Sequence, residues 1–244
     1  MKPRQKMAPA LGVGFLLAIA GNTHAQTTTW YGVNNNAAAA GATGIDAVSL
    51  IANTSWHDAN MSEASPNLVS GNDLTTQVRG TKTGIGAVLQ VASVFRWDGL
   101  NITDSVSSAS YFFNVEFLQG GANTYYITPI APGAGAWDED TATWGNLDPF
   151  IDYSATTGGF TVSSTGWMSL DVTSLMEDYR LGNNAGFAMV RDVNVTSGQA
   201  PYFTQYTSEA LPTQTPGLSI TTVPEPSVAL LGGLSAMLLF RRRR

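Results

Sequence analysis

AVLQVASVFRWDGL, residues 87–100, is the stretch that decides the class of fold. Val91, Ser93, Phe95 and Trp97 alternate with Gln90, Ala92, Val94 and Arg96, the period of two that places successive side chains on opposite faces of a strand. In Arg96-Trp97-Asp98 the alternation sends Trp97 into a core. It leaves Arg96 and Asp98 on the other face, with Arg96 in reach of a carboxylate such as Glu209. Asp98-Gly99 and residues 101–105 then supply turn chemistry. A second alternating run follows through Tyr111, Phe113, Val115 and Phe117, and the two runs read as paired strands.

The same pattern extends outward. Strands are predicted over 48–56, 124–130, 159–163, 167–172, 186–191, 202–207 and 218–222, with a turn at Gly120-Gly121-Ala122-Asn123. One helix interrupts them: Ser174 and Glu177 have capping-box spacing, Leu175, Met176 and Tyr179 share a face, and Gly182 suits the left-handed position after the last turn. Residues 34–44, with their alanine run, read as a low-complexity loop or link. Many short strands with one short helix predict an all-β protein, a jelly-roll β-sandwich, with Trp97, Trp144, Trp167 and Phe187 as bulky inward residues.

Several blocks carry a family resemblance. Val94 to Leu100 followed by Val106-Ser107-Ser108-Ala109, then Trp137-Asp138-Glu139-Asp140-Thr141-Ala142-Thr143-Trp144, then Trp167 with Leu170 to Leu175, come in order. After them come Asn184 to Met189, Tyr206 to Glu209 and Pro216 to Ile220. The series resembles the DNRLRE domain, the disaggregatase-related jelly roll, over about residues 88–222. Trp97 stands where that family usually has phenylalanine, and residues 26–87 match it only weakly. The resemblance implies one sandwich domain in which 26–87 supplies the first strands and 88–222 the remainder.

Both ends of the chain read as addresses. Lys2, Arg4 and Lys6, an apolar run from Leu11 to Ala20 and a small-residue site at Thr23-His24-Ala25 form a signal peptide, residues 1–25. At the other end, residues 223–244, Val223-Pro224-Glu225-Pro226 precede an apolar stretch from Ser227 to Phe240 and the basic cluster Arg241, Arg242, Arg243 and Arg244. Fourteen helical residues reach roughly 21 Å, short of the roughly 30 Å hydrocarbon core, which suits temporary retention better than a permanent anchor. The arginines stay on the cytoplasmic side. This hydrophobic sorting helix resembles the PEP-CTERM signal of Gram-negative bacteria. The resemblance implies an exosortase as processing partner, transient inner-membrane insertion and release to the cell surface or extracellular matrix.

Between the two addresses stand five basic and seventeen acidic residues, a net charge of −12. That charge excludes nucleic acid as a partner and disfavours polyanions not bridged by divalent cations. Cysteine is absent, so no disulfide, thiol nucleophile or thiolate metal site exists, and stability rests on packing.

Catalytic motifs are equally scarce. His57 is the one histidine after the leader, Gly-x-Ser-x-Gly and His-Glu-x-x-His segments are absent, and Gly84-Ile85-Gly86 lacks the third glycine of a dinucleotide fingerprint. We therefore assign no catalytic residues. Asp138, Glu139 and Asp140 have the best claim to a hard-cation site, with Ca2+ as the ion, because calcium takes carboxylate and loop-carbonyl oxygens. The spacing is not that of an EF-hand, since Thr143 and Pro149 stand where glycine and the bidentate acid belong.

Three function classes follow. The leading one is an exported, non-catalytic surface or matrix protein. The second is a carbohydrate-binding module gripping exopolysaccharide, for which Tyr125 and Tyr126, or Phe150 and Tyr153, are the candidate aromatic row. The third, a polysaccharide-degrading enzyme, requires two carboxylates across a cleft.

Overall fold

The computed structural model describes residues 26–32, 50–51, 55–71, 73–80, 90–151, 157–191, 200–208, 210–211 and 214–224. The expected signal peptide, residues 1–25, residues 34–44, Tyr153, Glu209, Glu225, Pro226 and Arg241 to Arg244 lie outside the described residues. The strands are β1 (Thr27–Gly32), β2 (Leu50–Ile51), β3 (Ser55–Ser62), β4 (Thr75–Arg79), β5 (Val91–Asp98) and β6 (Ser105–Gln119). They continue with β7 (Asn123–Pro129), β8 (Thr157–Val162), β9 (Gly166–Asp171), β10 (Phe187–Val190), β11 (Tyr202–Tyr206) and β12 (Gly217–Val223). Two short helices, α1 (Trp144–Leu147) and α2 (Thr173–Arg180), and two 3-10 turns complete the described elements, so the described residues are all-β with one α-helix more than the sequence led us to expect there.

The strands form one curled sheet in the order β2-β1-β12-β6-β11-β4-β5-β10-β7-β8, with β3 beside β5 and β9 beside β6. Among the described residues β1 and β2 pair in parallel and the remaining pairs are antiparallel. The two alternating runs that read as partners do not pair. β5 bonds to β3, β4 and β10, whereas β6 bonds to β9, β11 and β12. They meet instead across the interior, where Phe95 stacks on Tyr111 with centroids 4.7 Å apart and planes at 7°. Alternation defines a strand's faces but carries no information on its neighbour, which is why adjacency in sequence misled.

The concave side of the curl holds the main core: Phe95, Trp97, Tyr111, Phe113, Tyr125, Phe187 and Phe203 among others. Trp97 is fully buried as expected, edge-on to Phe95 at 5.6 Å and tilted against Phe187 at 5.7 Å. Each such ring contributes about 1.5–3 kcal/mol through area removed from water. Small polar pairs are enclosed with them: Thr76 and Ser93 hydroxyls lie 2.7 Å apart, and Gln205 Nε2 donates to Ser93 Oγ at 3.0 Å. Satisfied bonds of this kind hold a register, because slipping a strand by one residue would bury them unpaired.

β5 is buried on both faces. Its even-numbered residues Ala92 and Val94, with Ala59 and Met61 of β3 and Ala188 and Val190 of β10, form a second core on the convex side. Residues 131–151 cover it with Trp137, Ala142, Leu147 and Ile151, assisted by half-buried Trp144. This cover is fastened by Gly145 N–H to the Pro66 carbonyl at 2.7 Å and by Trp137 Nε1 to the Ala185 carbonyl at 3.1 Å. Gly186 is required beneath it: at φ +129°, a Cβ there would sit 2.8 Å from the Phe95 carbonyl oxygen.

The start of α2 differs from expectation. α2 begins at Thr173, one residue before Ser174, and Asp171 Oδ1 accepts the Thr173 N–H at 2.9 Å and its hydroxyl at 2.6 Å. Glu177 does not reach back to cap; its carboxylate accepts the Val106 N–H at 2.9 Å and pairs with Arg180. The capping box occurs at α1, where Thr143 Oγ1 accepts the Asn146 N–H and Asn146 Oδ1 accepts the Thr143 N–H at 2.8 Å. The other end of α2 is as expected: Gly182 has φ +75°, and Gly182 N–H to Tyr179 with Asn183 N–H to Asp178 make a Schellman close.

Candidate functional site

The sequence-predicted site residues disperse. Tyr125 is fully buried in the main core, 4.7 Å edge-on to Phe203, with the Arg191 guanidinium 5.1 Å over its ring. Burial pushes its hydroxyl pKa up. It therefore offers no face to a sugar. Tyr126, on the opposite side of the same strand, and Phe150, in a 3-10 turn, are half-buried against the second core rather than aligned as a row. Of the sorting motif, Val223 closes β12 opposite Ser105 and Pro224 follows it directly.

The acidic trio does not converge either. Asp138 turns back on its own loop, accepting the Thr141 hydroxyl at 2.7 Å while Thr141 Oγ1 receives the Asp138 N–H at 3.1 Å. Glu139 lies inward with Oε1 3.9 Å from His57 Nδ1, whereas Asp140 is exposed. Consecutive residues of a turn anchored by buried Trp137 point apart. Among the described residues no group of three His, Cys, Asp or Glu is disposed to hold a metal ion.

His57 is the third residue of β3. Its cross-strand partner is Arg96, and its Nε2 lies 3.0 Å from Asp98 Oδ2. Asp98 also bonds Arg96, whose guanidinium lies 5.7 Å from the Trp137 ring centroid. The expected opposite-face placement of Arg96 and Asp98 holds, with Asp98 two residues on in the same strand as the carboxylate partner. This cluster joins β3 and β5 to the cover and reads as fastening.

An open groove lies elsewhere, on the convex face of β4, β11 and β6. About 360 Å3 in volume, it is lined by Gln77, Glu116, Phe117, Tyr202 and Thr204. β11 is its floor: Thr204 lies between Gln77 and Phe117, and Tyr202 between Arg79 and Gln119. Strand parity explains most of this, since Thr76, Val78, Phe203 and Gln205 point inward and their neighbours outward.

Phe117 is the exception. Counting by twos from Tyr111 through Val115 sends it inward, yet it is 46% exposed. The β6–β11 register steps from Phe117 opposite Thr204 to Val115 opposite Gln205, which leaves Glu116 as the extra residue of a bulge. The bulge reverses the parity, so Glu116 and Phe117 both face out while Leu118 packs against the main core.

Phe117 and Tyr202 have centroids 5.6 Å apart with planes at 37°. Arg79 lies 5.4 Å over the Tyr202 ring, and Thr204 Oγ1 donates to Glu116 Oε2 at 2.9 Å. The arrangement presents aromatic surface beside a held carboxylate and a carboxamide. Phe117-Leu118 by itself does not give this away in the sequence, because Phe112-Phe113 is an equally apolar pair that β6 passes without a change of phase. No protein-family model matches the chain, and no curated protein matches it.

Proposed function

We propose that this is an exported, non-catalytic surface or matrix protein whose jelly-roll domain grips polysaccharide in the Phe117–Tyr202 groove. The observation that carries the reading is the pairing of exposed Phe117 and half-buried Tyr202 with Gln77, Glu116 and Thr204 on one sheet face. Sugar rings stack their C–H faces on such aromatics while polar neighbours fix orientation. Among the described residues the groove is lined by one carboxylate, Glu116, whereas glycoside hydrolysis uses two across the scissile bond. Support for export comes from the leader and from the tail that resembles an exosortase signal. In this reading the 88–222 blocks belong to a DNRLRE-like jelly roll, and many copies held at one surface raise avidity above the single-groove affinity.

Affinity electrophoresis of the full chain against a glycan panel, run beside a reducing-sugar assay, tests the proposal. We expect retardation that is lost in Phe117→Ala and Tyr202→Ala, with no new reducing ends. Retardation unchanged in both variants refutes the groove, and new reducing ends overturn the non-catalytic reading.

A further inference from the structure

We infer that the groove selects glycans bearing free amino groups over their acetylated or neutral counterparts; this rests on the glycan-binding reading above. The charge of the lining points to it. Glu116 is the one charged side chain among the lining residues, and the nearby cation, Arg79, lies over the Tyr202 ring rather than in the lining. Thr204 Oγ1 donates to Glu116 Oε2 at 2.9 Å, which orients the carboxylate and leaves Oε1 for a ligand. Phe117 lies next in sequence on the same face because of the bulge, and Tyr202 packs against it at 5.6 Å.

A carboxylate in the same groove as the exposed Phe117 ring suits an ammonium group. It supplies a charge-assisted hydrogen bond, and the ring adds cation–π attraction to the stacking that any sugar obtains. An acetamido sugar keeps the stacking but loses the charge terms. A uronate meets Glu116 as a like charge. At longer range the body's five basic and seventeen acidic residues attract a polycation and repel a polyanion. The attracted polymer is thus a partly or fully de-N-acetylated amino-sugar chain, and the contribution of Glu116 is local preference on top of that general attraction.

The test is equilibrium titration of the full chain with three probes of equal length: a glucosamine oligomer, its fully N-acetylated form and a glucose oligomer, with hexalysine as a control for charge alone. We expect the amino oligomer to bind roughly three- to tenfold more tightly than the other two sugars at low salt. The preference should shrink as salt rises. Glu116→Gln should abolish the preference, bringing the amino oligomer level with the other two sugars, and Phe117→Ala should weaken all three. Equal affinity for the three sugars, a preference that survives Glu116→Gln, or hexalysine binding as tightly as the amino oligomer each overturns the inference. Sugars bound equally but in a Phe117-dependent way would leave the glycan-binding reading standing, whereas no binding of any sugar would remove both.

Discussion

Replacing Tyr125 by alanine is the sharpest test of the packing, because its neighbour Tyr126 provides a control one residue away on the other face. Tyr125 is fully buried, edge-on to Phe203 at 4.7 Å, tilted to Phe160 at 6.0 Å and covered by Arg191 at 5.1 Å. Arg191 is itself held in place by the Thr124 carbonyl at 2.9 Å and Asn123 Oδ1 at 3.0 Å, so it cannot follow the ring's removal. Truncating a large buried aromatic costs about 3–5 kcal/mol, including the unfilled cavity. Against a typical stability of about 5–15 kcal/mol that is a fifth or more of the total.

Tyr126 is half-buried against the second core, and its loss should cost about 1–2 kcal/mol. In urea, with a slope of about 2 kcal/mol per molar, Tyr125→Ala should lower the unfolding midpoint by roughly 1.5–2.5 M and Tyr126→Ala by less than about 1 M. A larger loss for Tyr126→Ala, or equal small losses for both, would refute the register assigned to β7.

Two further outcomes are expected. The Arg180 guanidinium, assisted by the Val106 N–H, holds the Glu177 carboxyl below its ordinary range, and the Thr173 hydroxyl and N–H do the same for Asp171. Groups depressed in the folded state contribute stability that is present above their unfolded pKa and lost as pH falls through the folded value. Unfolding midpoints should therefore decline on acidification below the ordinary carboxylate range, less steeply in Glu177→Gln; identical slopes would remove this pair from the account. If the tail is processed as proposed, mass spectrometry of the exported protein should find a C-terminus near Pro226 without Arg241, and intact tails in that population would contradict it.

Much of the strand content was legible because inward and outward residues alternate along each strand. β5, β7, β9, β10, β11 and β12 lie where period two and the turn residues put them, and Gly182 closes α2 because a left-handed position favours glycine. β1 and β4, rich in Thr and Gln, carry too little apolar alternation to declare themselves. The expected strand over 48–56 divides into β2 and β3, and β3 runs on past His57 to Ser62. Trp167 lies half-buried on the outer face of β9, opposite Asn114, because Met168 and Leu170 take the inward positions.

What the amino-acid order by itself determined is therefore local: where most of the strands lie and that Trp97 points inward. Which strands become neighbours, and which aromatics reach solvent, were decided by tertiary structure. β5 and β6 face each other across the core because each finds its hydrogen-bond partners elsewhere. Tyr125 is enclosed because Phe160, Phe203 and Arg191 arrive from three distant segments. Phe117 is exposed because one extra residue in β6, defined only by its register against β11, reverses the faces of everything beyond it. Periodicity resides in a single chain segment, whereas register is a property of two, and the candidate groove depends on register.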